Sequence, residues 1–285
     1  MNTQRVNQQV TIEHMTQKEV EIALEWAAAE GWNPGINDAE CFYHTDPHGF
    51  YAAKLRGEIV GTMSVVKYSD NFAFGGLYIV KPKFRGLGIG LRMQQFVLDN
   101  YNDVNVGIDG VVEMQEKYEQ DGFHFAHNNT RYAGVIKGKR SQRCVPIRKQ
   151  DFQEVAAFDS AFFPAPRPRF LRKWLFQNDT SSQLIRNKVG NICSYGVIRK
   201  CRVGYKIGPL FADNLSDAEQ LLTSLAVTAD GETVFLDVPE ANTAAVELAI
   251  ECGMLPVFNT VRMYTKTAPP LPLKKIYGIT TFELG

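Results

Sequence analysis

The sequence predicts two α/β domains in series, each a mixed, mostly antiparallel sheet flanked by helices. Three observations carry this. The chain has 285 residues, more than one domain usually holds. Helix and strand patterns recur in the same order in its two halves, and matching positions keep a nearly constant spacing. The stretch between the halves, KGKRSQR at 137–143, is polar and charged, so the expected domains are 1–140 and 141–285.

In the first half, Thr16 and Glu19 form a capping box ahead of Val20, Ala23, Leu24 and Ala27 at helical spacing, and Gly31 ends that helix. The run GFYAAKLRGEIVGTMSVVKYSDNFAFGGLYIV then reads as a strand meander, broken at Arg56-Gly57-Glu58 and at Ser69-Asp70-Asn71. A glycine-rich loop leads into the helix LRMQQFVLDNY, with Met93, Phe96, Val97 and Tyr101 along one face. The strand VNVGID, the helix VEMQEKYEQDG and the extended stretch RYAGVIKG complete the half.

The second half repeats the plan. Asp151 opens a helix, SQLIRNKVGNICSYGVIRKCRVGYKIGPLF is a second meander, and SDAEQLLTSLAV, TVFLDV, ANTAAVELAIECG and VRMYTK alternate helix and strand. Thr16 and Asp151 lie 135 positions apart, Ile59 and Ile192 lie 133 apart, and Gly122/Gly253, Asn128/Asn259 and Arg131/Arg262 all lie 131 apart. Such a drifting offset is what a duplication with small loop changes leaves behind.

Composition excludes several classes. Lys plus Arg and Asp plus Glu both total 31, so no global field draws in nucleic acid or an anionic membrane. The N-terminal MNTQRVNQQVTIEHM lacks a leader-like apolar core, and no apolar run reaches the roughly 18 residues of a membrane span. Cys41, Cys144, Cys193, Cys201 and Cys252 are scattered, odd in number and free of CxxC pairs, which points to free thiols in a reducing cytoplasm. His44 and His48 have metal-site spacing, but Asp46-Pro47 and Gly49 argue against a helix there, and His124-x-x-His127 lacks further ligands, so no metal is expected.

The stretch VKPKFRGLGIGLRMQQF, 80–96, occurs once, without a copy in the second half. Glycines 86, 88 and 90 lie between a strand and a helix, where such a loop turns backbone N–H groups toward one point at the positive end of the helix. Lys81, Lys83, Arg85 and Arg92 add cationic side chains, so the loop suits a phosphate. Gly-Lys-Ser/Thr, which a P-loop needs, is missing, and Leu91 stands where a dinucleotide fingerprint needs its third glycine; Asp109, ending the next strand, keeps that second alternative open.

Val80-x-Pro82-x-x-Arg85-Gly86-x-Gly88-Ile89-Gly90, followed by Tyr118-x-x-x-Gly122-Phe123, resembles the coenzyme loop and final helix of the GNAT N-acyltransferase superfamily. EGWNPG at 30–35, GPLF at 208–211, LDVPEAN at 236–242 and the ending YGITTFELG extend the likeness, along the whole chain, to a tandem subfamily whose second GNAT-like domain has diverged. The resemblance implies acetyl-CoA as co-substrate, bound by Tyr78, Ile79, Val80, Arg85, Gly86, Leu87, Gly88, Ile89 and Gly90. It implies direct transfer to a small-molecule or peptide amine, with the N–H groups of Tyr78, Ile79 and Val80 at the carbonyl oxygen and Tyr118 as general acid toward the thiolate. It also places Trp32 and Asn33 beside the acceptor; a turn anchored by a core tryptophan is the alternative.

The strand GGLYIV carries no carboxylate to serve as general base. Asp109 is named because it ends a strand beside the cleft; Glu113, Glu25, Glu40, His124, His127 and a water chain remain open. The coenzyme loop aligns onto SDAEQLLT at 216–223, where Ser216 and Glu219 form an expected capping box and Asp213, Asp217 and Glu219 bring negative charge. The second half is therefore expected to bind no coenzyme. A non-catalytic acyl-CoA sensor or interaction scaffold is the rival reading, and the assembly is expected to be a monomer or homodimer.

Overall fold

The computed structural model describes residues 9–285, so part of the N-terminal stretch read for a leader, 1–8, lies outside the described residues. The first half runs β1 (Val10–His14), α1 (Gln17–Ala29), α2 (Asp38–Thr45), β2 (Phe50–Leu55), β3 (Glu58–Lys67), β4 (Phe72–Val80), α3 (Ile89–Tyr101), β5 (Asn105–Val111), α4 (Gln115–Gln120) and β6 (His124–Gly134). The second runs β7 (Val145–Pro146), α5 (Phe152–Asp159), α6 (Pro168–Trp174), β8 (Thr180–Arg186), β9 (Ile192–Lys200), β10 (Tyr205–Ala212), α7 (Leu215–Ala226), β11 (Val234–Pro239), α8 (Thr243–Glu251), β12 (Leu255–Tyr264) and β13 (Ile276–Gly278).

Local chemistry accounts for the expected elements. Thr16 caps α1 reciprocally with Glu19: the Glu19 amide donates to Thr16 Oγ1 at 3.3 Å, and the Thr16 amide to Glu19 Oε2 at 2.8 Å. The helix expected over VEMQEKYEQDG is shorter, since Val112–Met114 forms a single 3₁₀ turn before α4. His44 lies inside α2, against expectation, because that helix stops at Thr45, before Asp46-Pro47. α7 is capped by Asn214, whose Oδ1 accepts from the Asp217 amide at 3.0 Å; Ser216 already lies within the helix, so the expected Ser216–Glu219 box does not form.

Among the described residues, 13 strands make one mixed sheet in the order β1-β2-β3-β4-β5-β12-β6-β11-β10-β9-β8-β7, with β13 attached to β10. The two halves exchange one strand each, β6 and β12. β6 leaves the first half to lie between β12 and β11, and β12 takes the place beside β5 that β6 would fill. Both strands are longer than the stretches RYAGVIKG and VRMYTK suggest, because each gains ladder partners on both edges.

One core is shared. α1 and α2 of the first half, α5 and α6 of the second and the C-terminal tail bury Leu24, Phe42, Trp174, Tyr195, Phe211 and Leu284 together on one face of the sheet. On the other face α3 covers Met63, Val65 and Val106, whereas α7 and α8 cover Ile198, Ile207 and Leu236. No helix among the described residues is long and apolar enough to cross a membrane.

The exchange is clasped by two buried ion pairs at matching positions. Arg262 on β12 grips Asp109 on β5, Nε to Oδ1 at 2.7 Å and Nη2 to Oδ2 at 2.6 Å. Arg131 on β6 grips Asp237 on β11 in the same bidentate manner at 2.6 and 2.8 Å. A carboxylate so buried is held by its partner, and removing one side strands the other. Arg262→Met should therefore cost about 3–5 kcal/mol in urea unfolding, and Arg262→Met with Asp109→Leu markedly less. Equal losses in the single and double variants would count against the clasp.

Candidate active site

β4 and β5 run parallel and paired only from Phe72/Asn105 to Gly75/Ile108, and then part. The cause lies in β4. Leu77 has φ +49°, a left-handed conformation unfavourable for leucine, and the β3–β4 register slips between Thr62 and Ser64 at this point. Beyond the bulge β4 stays with β3, and β5 stays with β12 as far as Val111. A gap opens between them.

Backbone alternation decides which amides face this gap. The Lys81 amide donates to Val60 O on β3 at 3.0 Å, so Ile79 also turns its N–H toward β3, whereas Tyr78 and Val80 turn theirs toward the open side. Ile79 thus drops out of the expected trio of amides. Its side chain is buried in the shared core instead.

The glycine loop closes one end of the gap. Gly86 and Gly88 have φ +78° and +80°, and Gly88 occupies the N-cap of α3 with no side chain bonding the first turn. The N–H groups of that turn are left for a ligand. Leu87 and Ile89 point their side chains into the α3 core, which fixes the loop on the sheet. Gly90 leaves room for the Tyr78 hydroxyl, which would lie 2.7 Å from a Cβ there. Around the loop, Lys81 and Lys83 each reach Glu58 at 3.0 Å, and Arg85 donates to Val80 O at 2.8 Å and pairs with Glu30.

Tyr118, on α4, lies over Gly110 of β5, where any Cβ would strike its ring. Burial pushes its phenol above the usual range, while the Val111 amide acts in the opposite sense, which sets the hydroxyl near the end of β5. Tyr78 is raised further, first by burial and then by the nearness of Tyr118. Both phenols therefore keep their protons at neutral pH.

The opposite face carries buried charge. Arg199 on β9 is register partner to Lys206 on β10, Arg131 on β6 to Asp237 on β11, and Arg262 on β12 to Asp109 on β5. Arg199 pairs with Asp38 of α2 at 3.0 Å. Lys206 Nζ reaches only the Trp32 carbonyl, at 3.4 Å; burial pushes its ammonium down, Arg131 adds to this, and Asp237 and Glu283 oppose it. Glu283, on the C-terminal tail, is 2% exposed, and its Oε1 has no hydrogen-bond partner.

Several expected residues are placed otherwise. Asp109 lies beside the gap as expected, but both its oxygens are taken by Arg262, and Oδ1 also accepts from Asn129 Nδ2 at 2.8 Å; its carboxylate is spent on the clasp. Glu25 pairs with Arg202 and Glu40 with Lys173 on the surface, and Glu113 and His124 are exposed. Burial, with Arg262 beside it, lowers the His127 pKa to about 3, so it stays neutral. Asn33 is committed to the β9–β10 turn, exchanging two hydrogen bonds of 2.9 Å with the Val203 backbone, and Trp32 offers its carbonyl to Arg131 Nη1 at 2.6 Å. Asn33 thus stitches the halves together, and the Trp32 carbonyl does so through Lys206.

Lys206, Arg131, Asp237 and Arg262 were not singled out for a site from sequence. Lys206 and Asp237 are lone charges inside apolar strand runs, and that pattern was the available signal. Among the described residues no group of three or more His, Cys, Asp or Glu side chains could hold a metal.

In the second half, β10 and β11 likewise pair in parallel only from Tyr205/Val234 to Ile207/Leu236. There the space is taken by β13, which pairs with β10 at Leu210 and Phe211, and by the Ile279 amide, which donates to Asp237 O at 2.8 Å. At the α7 N-terminus stand Asp217, paired with Arg143 at 2.6 Å, and Asp213, paired with Lys275 at 3.0 Å.

Residues 17–115 match the acetyltransferase (GNAT) family and residues 155–278 an acetyltransferase (GNAT) domain. The chain is 31% identical over 274 residues to holothin acyltransferase of Pseudoalteromonas sp. (strain SANK 73390), covering 94% of this chain and 92% of that protein. It is 27% identical to the uncharacterized N-acetyltransferase YitH of Bacillus subtilis, over 92% of this chain and 94% of YitH. A crystal structure of a putative acetyltransferase from Pyrococcus horikoshii superimposes with a TM-score of 0.82 at 23% identity, over 98% of this chain and 96% of the other. A tandem GNAT protein from the clavulanic acid biosynthesis pathway superimposes at 0.61 with 12% identity, over 91% of this chain and 99% of its own. With its two GNAT domains and a relative of this identity along nearly its whole length, the chain belongs to the GNAT family of acyltransferases.

Proposed function

We propose that this protein transfers an acetyl group from acetyl-CoA directly to an amine, and that only the first half, over 1–140, holds coenzyme and performs chemistry. The observation that carries the reading is the β4–β5 gap, with an uncapped glycine helix end at its mouth and Tyr118 on its far edge. These residues fit the coenzyme, because the left-handed Gly86 and Gly88 leave first-turn amides for a pyrophosphate, and Lys81, Lys83, Arg85 and Arg92 supply cations around them. Acetyl-CoA supplies the reactive thioester. The amides of Tyr78 and Val80 donate to its carbonyl oxygen as negative charge gathers there. Tyr118, kept protonated by burial, gives its proton to the departing sulfur.

The second half, 141–285, is read as silent toward coenzyme. Asn214 occupies the helix end, Asp213 and Asp217 repel phosphate, and β13 fills the corresponding space. The relative named for acyl transfer to holothin supports acyl transfer as the reaction. The five free cysteines support a reducing, cytoplasmic setting. A binding-only sensor is the second reading. It draws on the commitment of Asp109 to Arg262, which leaves that candidate base without a free oxygen.

Calorimetric titration with acetyl-CoA should find one site per chain, and two sites would refute the silent second half. Gly88→Glu places a carboxylate at the positive helix end and should weaken that binding by about 100-fold or more with the circular dichroism unaltered. Tyr118→Phe should lower kcat by about 10²–10³-fold with little change in KM, and an unchanged kcat would remove the general-acid role.

A further inference from the structure

The mechanism above lacks a proton acceptor, and the geometry points to Glu283, contributed by the C-terminal tail of the second half, as the base that deprotonates the amine. This rests on the transferase reading.

Three observations converge. Position 76 on β4, one residue before the bulge that opens the gap, is glycine, and a Cβ there would lie 2.2 Å from the Glu283 carbonyl oxygen. The tail thus lies directly against the gap. It is held there: Tyr68 Oη donates to Leu284 O at 2.9 Å, Arg167 Nη1 to Gly285 O at 3.1 Å and Nη2 to Thr280 Oγ1 at 2.9 Å. Four buried carboxylates, Asp38, Asp109, Asp159 and Asp237, each have an arginine partner. Glu283 has none. One oxygen accepts from Thr281 Oγ1 and the other is unpartnered. A buried carboxylate oxygen left open is unfavourable, and a ligand N–H donor would relieve it.

Position also suits the chemistry. Asp109 and Gly110 are successive residues of β5, so their side-chain positions fall on opposite faces. Glu283 lies with Asp109, Arg131, Arg199 and Lys206, all within its electrostatic reach, and Tyr118 lies over Gly110. Base and acid flank the gap from its two sides. The ammonium of the acceptor loses one proton to Glu283, and the amine nitrogen bonds to the acyl carbon as the carbon–sulfur bond breaks. The second proton shed by nitrogen replaces the one that Tyr118 gives to sulfur, and Glu283 releases its proton to water after product leaves.

The test is thiol release from acetyl-CoA with two probe amines at neutral pH, methylamine, which is an ammonium there, and hydroxylamine, which is uncharged. In Glu283→Gln, acetyl-CoA binding should persist, methylamine turnover should fall by about 10²–10⁴-fold, and hydroxylamine turnover should fall far less. Glu283→Asp, which keeps the charge, should restore part of the methylamine rate. Equal losses with both amines, or none with either, would overturn the Glu283 assignment while leaving the transferase reading intact. Wild-type protein that binds no acetyl-CoA, or binds it and acylates neither amine, would overturn both.

Discussion

The two Arg–Asp clasps, Arg262 with Asp109 and Arg131 with Asp237, hold the strand exchange on which the rest of the molecule depends. Each pair joins an exchanged strand to the half that receives it. Inside a sheet, a charge that has left water needs a partner at one register only, so the pairs also penalise slippage. With β12 fixed beside β5, β5 has an edge partner along its length and can part from β4 without exposing an unpaired strand.

That separation makes the site. The bulge at Leu77 bends β4 away, and the glycine loop at the end of β4 sets an uncapped helix across the opening. In the second half the same parallel pairing also ends early, but β13 occupies the opening and Asn214 closes the helix end. The C-terminal segment thus fills the space in its own half and continues to the first half, where Glu283 meets Gly76.

The face that receives this tail is unusual in its charge. Arg199, Lys206, Asp237, Arg131, Arg262 and Asp109 stand on neighbouring strands within one layer, and Asp38 and Glu283 reach them from α2 and from the tail. Most of these charges cancel in bidentate pairs. Lys206 and Glu283 do not, and so the polar capacity left over lies close to the gap. Trp32 and Asn33 spend their hydrogen bonds on the join between halves, which keeps this face closed around that capacity.

Much was legible in the amino-acid order because it depends on local chemistry. The Thr16–Glu19 box, the meander leading to β4, the glycines that need positive φ and the Tyr118 helix before Gly122 are all set by neighbours a few residues away. The spacing shared by Arg131 and Arg262 likewise marked a duplication. Periodicity marks which face of a strand is buried and leaves open which strand lies alongside, so the exchange of β6 and β12 became visible only in the fold. For the same reason Asp109 reads as a free carboxylate in sequence and as half of an ion pair in space. Asn214 and Ser216 are both good caps, and the choice between them fell to where α7 packs. The sequence by itself determined a duplicated α/β chain with one glycine-rich loop between strand and helix; the tertiary structure decided which charges meet, because contacts between residues more than 100 positions apart obey packing and no local rule.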